Sequence, residues 1–366
     1  MKQSPVLPVL FLTHYDRIGA PSRYRAYQYF PALERSGIAP TVQLIQSEAM
    51  FLMKERRQGR LRFAFLVLLA YLRRMAFLLF RGRRYSVWFV EKELFPFLPY
   101  WLESLFLPHG VKVVVDYDDA VFLKYDDRPG PVGWLLHRKI ARLMRRADVV
   151  LSGNEFITDY ARGAGAREVV WVPSVVDEER YDASPPVSSD PPVIGWMGGY
   201  RNSRHLLSIG GALRRLAEQE RFVLRVVGGA RVPLPDEIPV EYREWCEDRE
   251  IDELRQFTLG IMPLVEGRWE KGKCGLKLIQ YLAAGIPVVA TPIGINARIV
   301  QPGINGRVAQ TEEEWLEALR QALADARQGR PSPAACRASV AEHFTLGAQA
   351  PTLAVILHRL GAQGPS

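Results

Sequence analysis

Residues 272–289 read GKCGLKLIQYLAAGIPVV. Nothing between Leu276 and Ala284 breaks a helix, so the spacing predicts a short buried helix from about Gly275 to Ala284. Gly285 ends it, and "IPVVAT" (286–291) follows as a strand. Glycine lets backbone approach a ligand closely, and a helix start presents free N–H groups with positive partial charge. Lys273 and Lys277 are four residues apart and share one helix face. Two ammonium groups there are costly unless an anion meets them. The residues alone leave two readings open: solvated lysines beside capping glycines, or a cradle for a diphosphate.

The same strand-to-helix alternation extends in both directions. Upstream stand "VLPVLFLT" (6–13), "TVQLIQ" (41–46), "SVWFVE" (86–91), "VKVVVD" (111–116), "DVVLSG" (148–153) and "EVVWVP" (168–173). These are continuous apolar runs, as expected of strands covered on both faces in a parallel sheet. Helical stretches at 22–36, 61–81 and 133–146 separate them. A stretch rich in Pro, Ser and Asp (174–192) reads as a linker. A second series follows: "VIGWMG" (193–198), "FVLRVVGG" (222–229), "LGIMPL" (259–264), "IPVVAT" and "NGRVA" (305–309), with helices at 202–218, 250–257, 275–284 and 312–325. The expected fold is α/β, with two doubly wound domains and ligands at the carboxyl ends of the strands. The boundaries read as 1–176, a linker at 177–192, a second domain at 193–343, and a terminal segment 344–366 returning to the first domain.

The 366 residues suffice for two cores, and 48% hydrophobic with 24% charged residues is a globular composition. A net charge of +8 favours anionic partners. Nucleic acid ranks last among them, because no recognition module accompanies the charge. Cys246, Cys274 and Cys336 form no Cys-x-x-Cys pair, which suits a reducing cytoplasm and argues against zinc. The opening MKQSPVLPVLFLTHYD lacks a small-residue cleavage site and reads as a first strand.

The segment 272–291 resembles the donor-binding motif of family 4 retaining glycosyltransferases of GT-B architecture (glycosyl transferases group 1). That motif is Glu, seven residues, Glu, then Ala-Met-Ala-x-Gly-x-Pro-Val-Val. Here YLAAGIPVVAT (281–291) matches its second part, and the Lys-Cys-Gly-x-Lys form at 273–277 resembles a subgroup. The resemblance spans nearly the whole chain and is most specific between Val193 and Arg307. It implies transfer of a sugar from a nucleotide-diphosphate sugar to a glycan, lipid-linked or small-molecule acceptor, without a metal or other cofactor. Counting back from Gly285, the family's ribose-binding glutamate falls on Gln280 and its sugar-contacting glutamate on Gly272. Gln280 retains hydrogen-bonding capacity toward ribose hydroxyls. Gly272 cannot replace a carboxylate, which leaves Glu270 or Lys273 for that duty.

By the same resemblance, Lys273, Lys277 and the amides of Gly272, Cys274, Gly275 and Leu276 surround the diphosphate. The Gly198-Gly199 turn approaches it, with Arg201 or Arg204 supplying charge and Asn202 or Ser203 expected as helix cap. Gly19 matches a glycine loop at the donor–acceptor junction, with Ser22 expected to cap the next helix. Arg23 and Arg25 near that helix start call for an anion or a neighbouring acid. Asp116, Asp118 and Asp119 crowd one strand end and need a positive partner. Asp119 aligns with an aspartate that orients the donor sugar. Plain alternatives are a tight turn with surface arginines, and a helix cap with salt bridges.

Residues 50–84 hold ten Lys/Arg against Glu55, around a ten-residue uncharged run, Phe63–Leu72. That run is about half the length a spanning helix needs. A basic amphipathic helix on an anionic membrane and a first-domain helix with solvated arginines are both compatible with it. Two other functional classes share the residue pattern: a nucleotide-sugar epimerase of the same fold, and a non-catalytic nucleotide-sugar or membrane-binding scaffold.

Overall fold

The structure is a computed structural model and describes residues 6–55, 58–181, 186–187 and 189–363. The expected linker 177–192 and the basic stretch 50–84 therefore fall in part outside the described residues. The chain divides into two compact units, Met1–Ser174 with Gln349–Ser366, and Val175–Ala348.

The first unit is built on six parallel strands: β1 (Leu7–Tyr15), β2 (Ile38–Gln46), β3 (Val87–Glu91), β4 (Lys112–Tyr117), β5 (Val149–Ser152) and β6 (Val169–Trp171). Their order in the sheet is β2-β1-β3-β4-β5-β6. The Val- and Phe-rich runs are covered on both faces; Val9–Leu12, Val87–Val90 and Val113–Val115 are almost completely buried. Strand order reverses across the sheet between β1 and β3, so the loops after those strands flank the crevice where such sheets bind ligands. In the terminal segment, His358 Nε2 lies 2.8 Å from the Ser36 carbonyl and Arg359 pairs with Glu168 at 2.7 Å.

The second unit holds β7 (Val193–Met197), β8 (Val223–Val227), β9 (Val240–Arg243), β10 (Leu259–Met262), β11 (Val288–Ala290) and β12 (Gly306–Val308). They are all parallel, in the order β12-β11-β10-β7-β8-β9. The strand β9 was not among those the sequence announces: Glu241 and Arg243 interrupt its apolar pattern, and it lies at the sheet edge. Trp196, Trp315, Leu213, Leu319 and Ile261 fill the core on one face. The reversal point here lies between β7 and β10.

Helices expected as single pieces are broken. The stretch 22–36 is a helix Ala20–Arg25, a 3-10 turn Tyr27–Tyr29 and a helix Phe30–Arg35. Residues 133–146 divide into Gly130–Leu136 and Lys139–Arg146, with Arg138 at φ +56° between them. The start of 202–218 is a ten-residue 3-10 helix, Tyr200–Ile209. Conversely, the helix Arg60–Arg81 is continuous. Because it runs through Arg73 and Arg74, an 18-residue window of Arg60–Arg84 reaches a mean hydropathy of 2.0. By length and composition that is enough to cross a membrane, more than the ten-residue run suggests.

Candidate functional site

The strongest constellation lies in the second unit where β7 and β10 diverge. Gly198 and Gly199 follow β7, and the loop after β10 leads through the short helix Arg268–Lys271 to Gly272. The helix Leu276–Ala283 starts at the same end, with Gly275 as its N-cap at φ +66°. A Cβ at Gly275 would lie 2.3 Å from Ile299 Cδ1, so both backbone conformation and space demand glycine. The first amides of a helix have no intrahelical acceptor, so this turn offers donors beside Lys273 and Lys277.

Lys277 passes over Gly198, where an added Cβ would sit 2.3 Å from Lys277 Cε. Its Nζ rests 4.3 Å from the centre of the Trp196 ring. Burial, and next the Lys273 ammonium, pull its pKa from the ordinary 10.5 down to about 7. No carboxylate pairs with Lys277 among the described residues. Lys273 donates to Asn202 Oδ1 at 3.3 Å. These two cations repel each other across one helix start, and a bound anion would relieve both.

His205 closes another side of the site. Its Nδ1 accepts the Val265 N–H at 3.4 Å, which leaves the proton on Nε2. Burial, then Lys273, Lys277 and Arg204, lower its pKa to about 4, so the ring is neutral at pH 7. Nε2 makes no hydrogen bond among the described residues and lies 3.7 Å from Glu270 Oε1. Glu270 is buried and also faces Arg204 Nη2 at 3.7 Å.

Gln280 is one turn further along and buried. Its Nε2 donates to Glu250 Oε1 at 3.0 Å and to Tyr181 Oη at 3.3 Å, while Trp245 Nε1 donates to Glu250 Oε2 at 2.8 Å. A carboxylate therefore sits beside the glutamine, delivered from a different element. Glu250 and Tyr181, like His205 and Trp196, were not singled out in the sequence. The nearest cue to Glu250 was its place at the start of the helix expected at 250–257.

The remaining sequence-selected residues divide. Gly272 is buried at the end of Arg268–Lys271, and Cys274 and Leu276 line the same turn. Arg201 is exposed and joins none of these contacts; Arg204 is the arginine that reaches Glu270. Neither Asn202 nor Ser203 caps a helix, since Gly199 holds the N-cap position without a side-chain bond. Ser203 instead donates back to the Tyr200 carbonyl at 3.0 Å, and Asn202 faces Lys273.

In the first unit, Gly19 is the N-cap of Ala20–Arg25 at the end of β1. Ser22 lies inside that helix rather than capping it, and donates to Glu91 Oε2 at 2.6 Å. The acids at the end of β4 find structural partners. Asp116 takes two hydrogen bonds from Arg25, one of them at 2.9 Å through Nε. Asp118 pairs with Lys92 at 2.8 Å. Burial opposes ionisation of Asp118, but Lys92 outweighs it and holds the carboxyl below its usual value. Arg25 thus follows the neighbouring-acid alternative, and the acid cluster is met by cations of the protein. Asp119 is half-buried at the rim and contributes to the field that keeps Lys92 charged. No group of three or more possible metal ligands occurs among the described residues.

The family model Glycosyl transferases group 1 matches residues 191–325, which lie within the second unit. Sucrose-phosphate synthase from Thermosynechococcus elongatus superposes at a TM-score of 0.68 with 14% identity, over 97% of this chain and 99% of that one. A glycosyltransferase from Rickettsia africae gives a TM-score of 0.68 at 14% identity, over 97% and 98%. Anabaena HepE in complex with UDP-glucose gives 0.69 at 14% identity, over 96% and 100%. No curated protein matches the sequence. The fold is GT-B.

Proposed function

We propose that the chain is a retaining glycosyltransferase that moves a sugar from a nucleotide-diphosphate sugar to a glycan, lipid-linked or small-molecule acceptor. The observation that carries this reading is Lys277: a lysine pulled down to about 7, without a carboxylate partner among the described residues, at a helix start and a strand-order reversal. Such a group gains most from an anion that restores its proton. HepE was solved with UDP and UDP-glucose, which supports a nucleotide-sugar donor here.

In this reading Lys273, Lys277 and the amides of Gly275 and Leu276 hold the diphosphate, with Gly198 and Gly199 leaving room for it. Negative charge grows on the leaving diphosphate as the anomeric bond breaks. Fixed cations and amides stabilise that charge without reorganising, the usual source of a large rate effect. Gln280 and Glu250 together replace one ribose-binding glutamate, the amide offering a donor and the carboxylate an acceptor. Glu270, with the neutral Nε2–H of His205, takes the sugar-facing duty that Gly272 cannot perform. Arg201 is the weakest member of the set, and Arg204 is the better candidate for supporting charge.

The test is transfer itself. Purified protein is offered UDP-, GDP- and ADP-sugars with a panel of acceptors, and the product's anomeric configuration is read by NMR. Transfer with retention, abolished in Lys277→Ala, is the expected result. Interconversion of the donor without acceptor would identify an epimerase instead. Tight nucleotide binding without transfer to any acceptor would identify a scaffold.

A further inference from the structure

The helix Arg60–Arg81 presents an apolar face that the first unit does not cover. Leu61 is 89% exposed, Phe65 64%, Leu68 56%, Leu72 54%, Leu79 61% and Phe80 81%. The first five stand at i, i+4, i+7, i+11 and i+18, so they form one stripe along a rod about 33 Å long. The opposite face is fastened to the unit. Leu78 is buried, and the fully buried Arg74 donates to the carbonyls of Leu94 at 3.0 Å and Thr13 at 2.6 Å and to Gln43 Oε1 at 3.1 Å. Tyr71 donates to the Pro96 carbonyl at 2.6 Å, and the segment it touches adds the exposed Phe97 and Trp101. This inverts ordinary amphipathicity: the face toward solvent is apolar, and the face toward the protein carries a hydrogen-bonded arginine.

Charge identifies the occupant. Arg62, Arg73, Arg81 and Arg84 are exposed beside or beyond the stripe. No acid occurs between Gln58 and Val90, and among the described residues no carboxylate pairs with these four. A protein partner that covered only the stripe would leave this positive rim unmet. A bilayer with anionic headgroups meets both, taking leucine and phenylalanine side chains into the acyl boundary and arginines at headgroup level. We infer that Arg60–Arg81 lies in the plane of an anionic membrane and docks the first unit there. A spanning orientation is disfavoured, since it would take Arg74 away from its acceptors and place an arginine near the bilayer centre.

The inference is independent of sugar transfer and is tested by binding alone. Full-length protein is floated with vesicles of phosphatidylcholine containing phosphatidylglycerol, and with phosphatidylcholine alone. We expect at least about tenfold stronger partitioning to the anionic vesicles, weakening as salt rises. The triple variant Phe65→Gln, Leu68→Gln, Leu72→Gln changes only exposed or largely exposed side chains. It should lose about a hundredfold in partitioning while keeping its melting temperature and its elution volume. Arg62→Gln with Arg73→Gln should weaken the preference for anionic lipid. Equal partitioning of wild type and triple variant would overturn the inference, as would no binding to either vesicle. A wild-type dimer that the triple variant dissolves would assign the stripe to a second copy of the chain. Protein that resists extraction at alkaline pH would assign it to a span.

Discussion

Replacing Lys277 by methionine should stabilise the empty protein and weaken donor binding together. A fall in lysine pKa from 10.5 to about 7 means that the folded second unit disfavours the protonated ammonium. At about 1.4 kcal/mol per factor of ten, the penalty has a ceiling of about 4–5 kcal/mol. The side chain is only half-buried, so solvent screening reduces this to about 1–2 kcal/mol. Methionine keeps the length of the chain and a favourable contact with the Trp196 ring while removing the charge. For a unit of this size the gain corresponds to about 3–6 °C in melting temperature.

The pH dependence follows from the sign of the shift. The penalty is complete below about pH 7, falls as the ammonium loses its proton in the folded state, and vanishes near the ordinary lysine value of 10.5. Scanning calorimetry of wild type and Lys277→Met should therefore show the gap widest at pH 6–7 and closed by about pH 10. The intact nucleotide-diphosphate sugar accepted in the transfer test is a better titrant than its free nucleoside diphosphate, because its diphosphate has no terminal phosphate that titrates near neutrality. Calorimetric titration should show roughly hundredfold weaker binding in the variant, about 2–3 kcal/mol for a charge-assisted contact. A variant that melts below wild type at pH 6–7 would refute the burial argument. One that binds donor as well as wild type would remove Lys277 from the diphosphate site.

Gln280→Glu sets a second carboxylate against Glu250, where the amide now donates at 3.0 Å; thermal melts should show a variant near wild type at pH 5 and losing about 1–3 kcal/mol by pH 8 as two adjacent carboxylates are forced to ionise. Gly198→Ala drives a methyl into Lys277 Cε, the movable end of a side chain; donor KM should rise at least about tenfold with little change in melting temperature. Arg74→Leu leaves the buried carbonyls of Thr13 and Leu94 without their donor; urea unfolding should show the first unit weakened by about 3–5 kcal/mol. Lys92→Met removes the partner that holds Asp118 below its usual 3.8. Its stability deficit should be largest above pH 4 and shrink as pH falls through the carboxylate range, measured by chemical denaturation.

The fold was legible wherever strands are buried on both sides. Eleven of the strands announce themselves in the sequence, most of them as apolar runs, because helices cover both faces of each sheet. The edge strand β9 alternates Val240, Glu241, Tyr242 and Arg243, so its register depends on β8 rather than on its own composition. The helix breaks were hidden for a related reason. Arg138 adopts φ +56° while its N–H donates to Asp126 twelve residues back, a contact that no local pattern contains.

The candidate site was legible where its chemistry is local and obscure where it is assembled. Gly275, Lys277 and the helix start lie within three residues, so one motif contains them. Glu250 lies thirty positions before Gln280, and Tyr181 ninety-nine, and only the packing of their elements brings them together. This explains how a glutamine can occupy a position that sequence resemblance gives to an acid. The amide of Gln280 is neutral, so it can lie against Glu250 without the repulsion a glutamate would suffer. Trp245 and Gln280 each donate to a different oxygen of that carboxylate and hold it in place. Moving the charge from the helix Leu276–Ala283 to the start of the helix Glu250–Arg255 keeps one negative group beside Gln280 and adds a donor. If ribose is gripped there, Glu250→Gln should weaken donor binding at least as much as Gln280→Ala, while Gln280→Glu with Glu250→Gln, which returns the acid to the first helix, should recover most of the loss. Failure of that exchange to recover binding, in a protein that melts like wild type, would separate the buried Glu250–Gln280 pair from the nucleotide altogether.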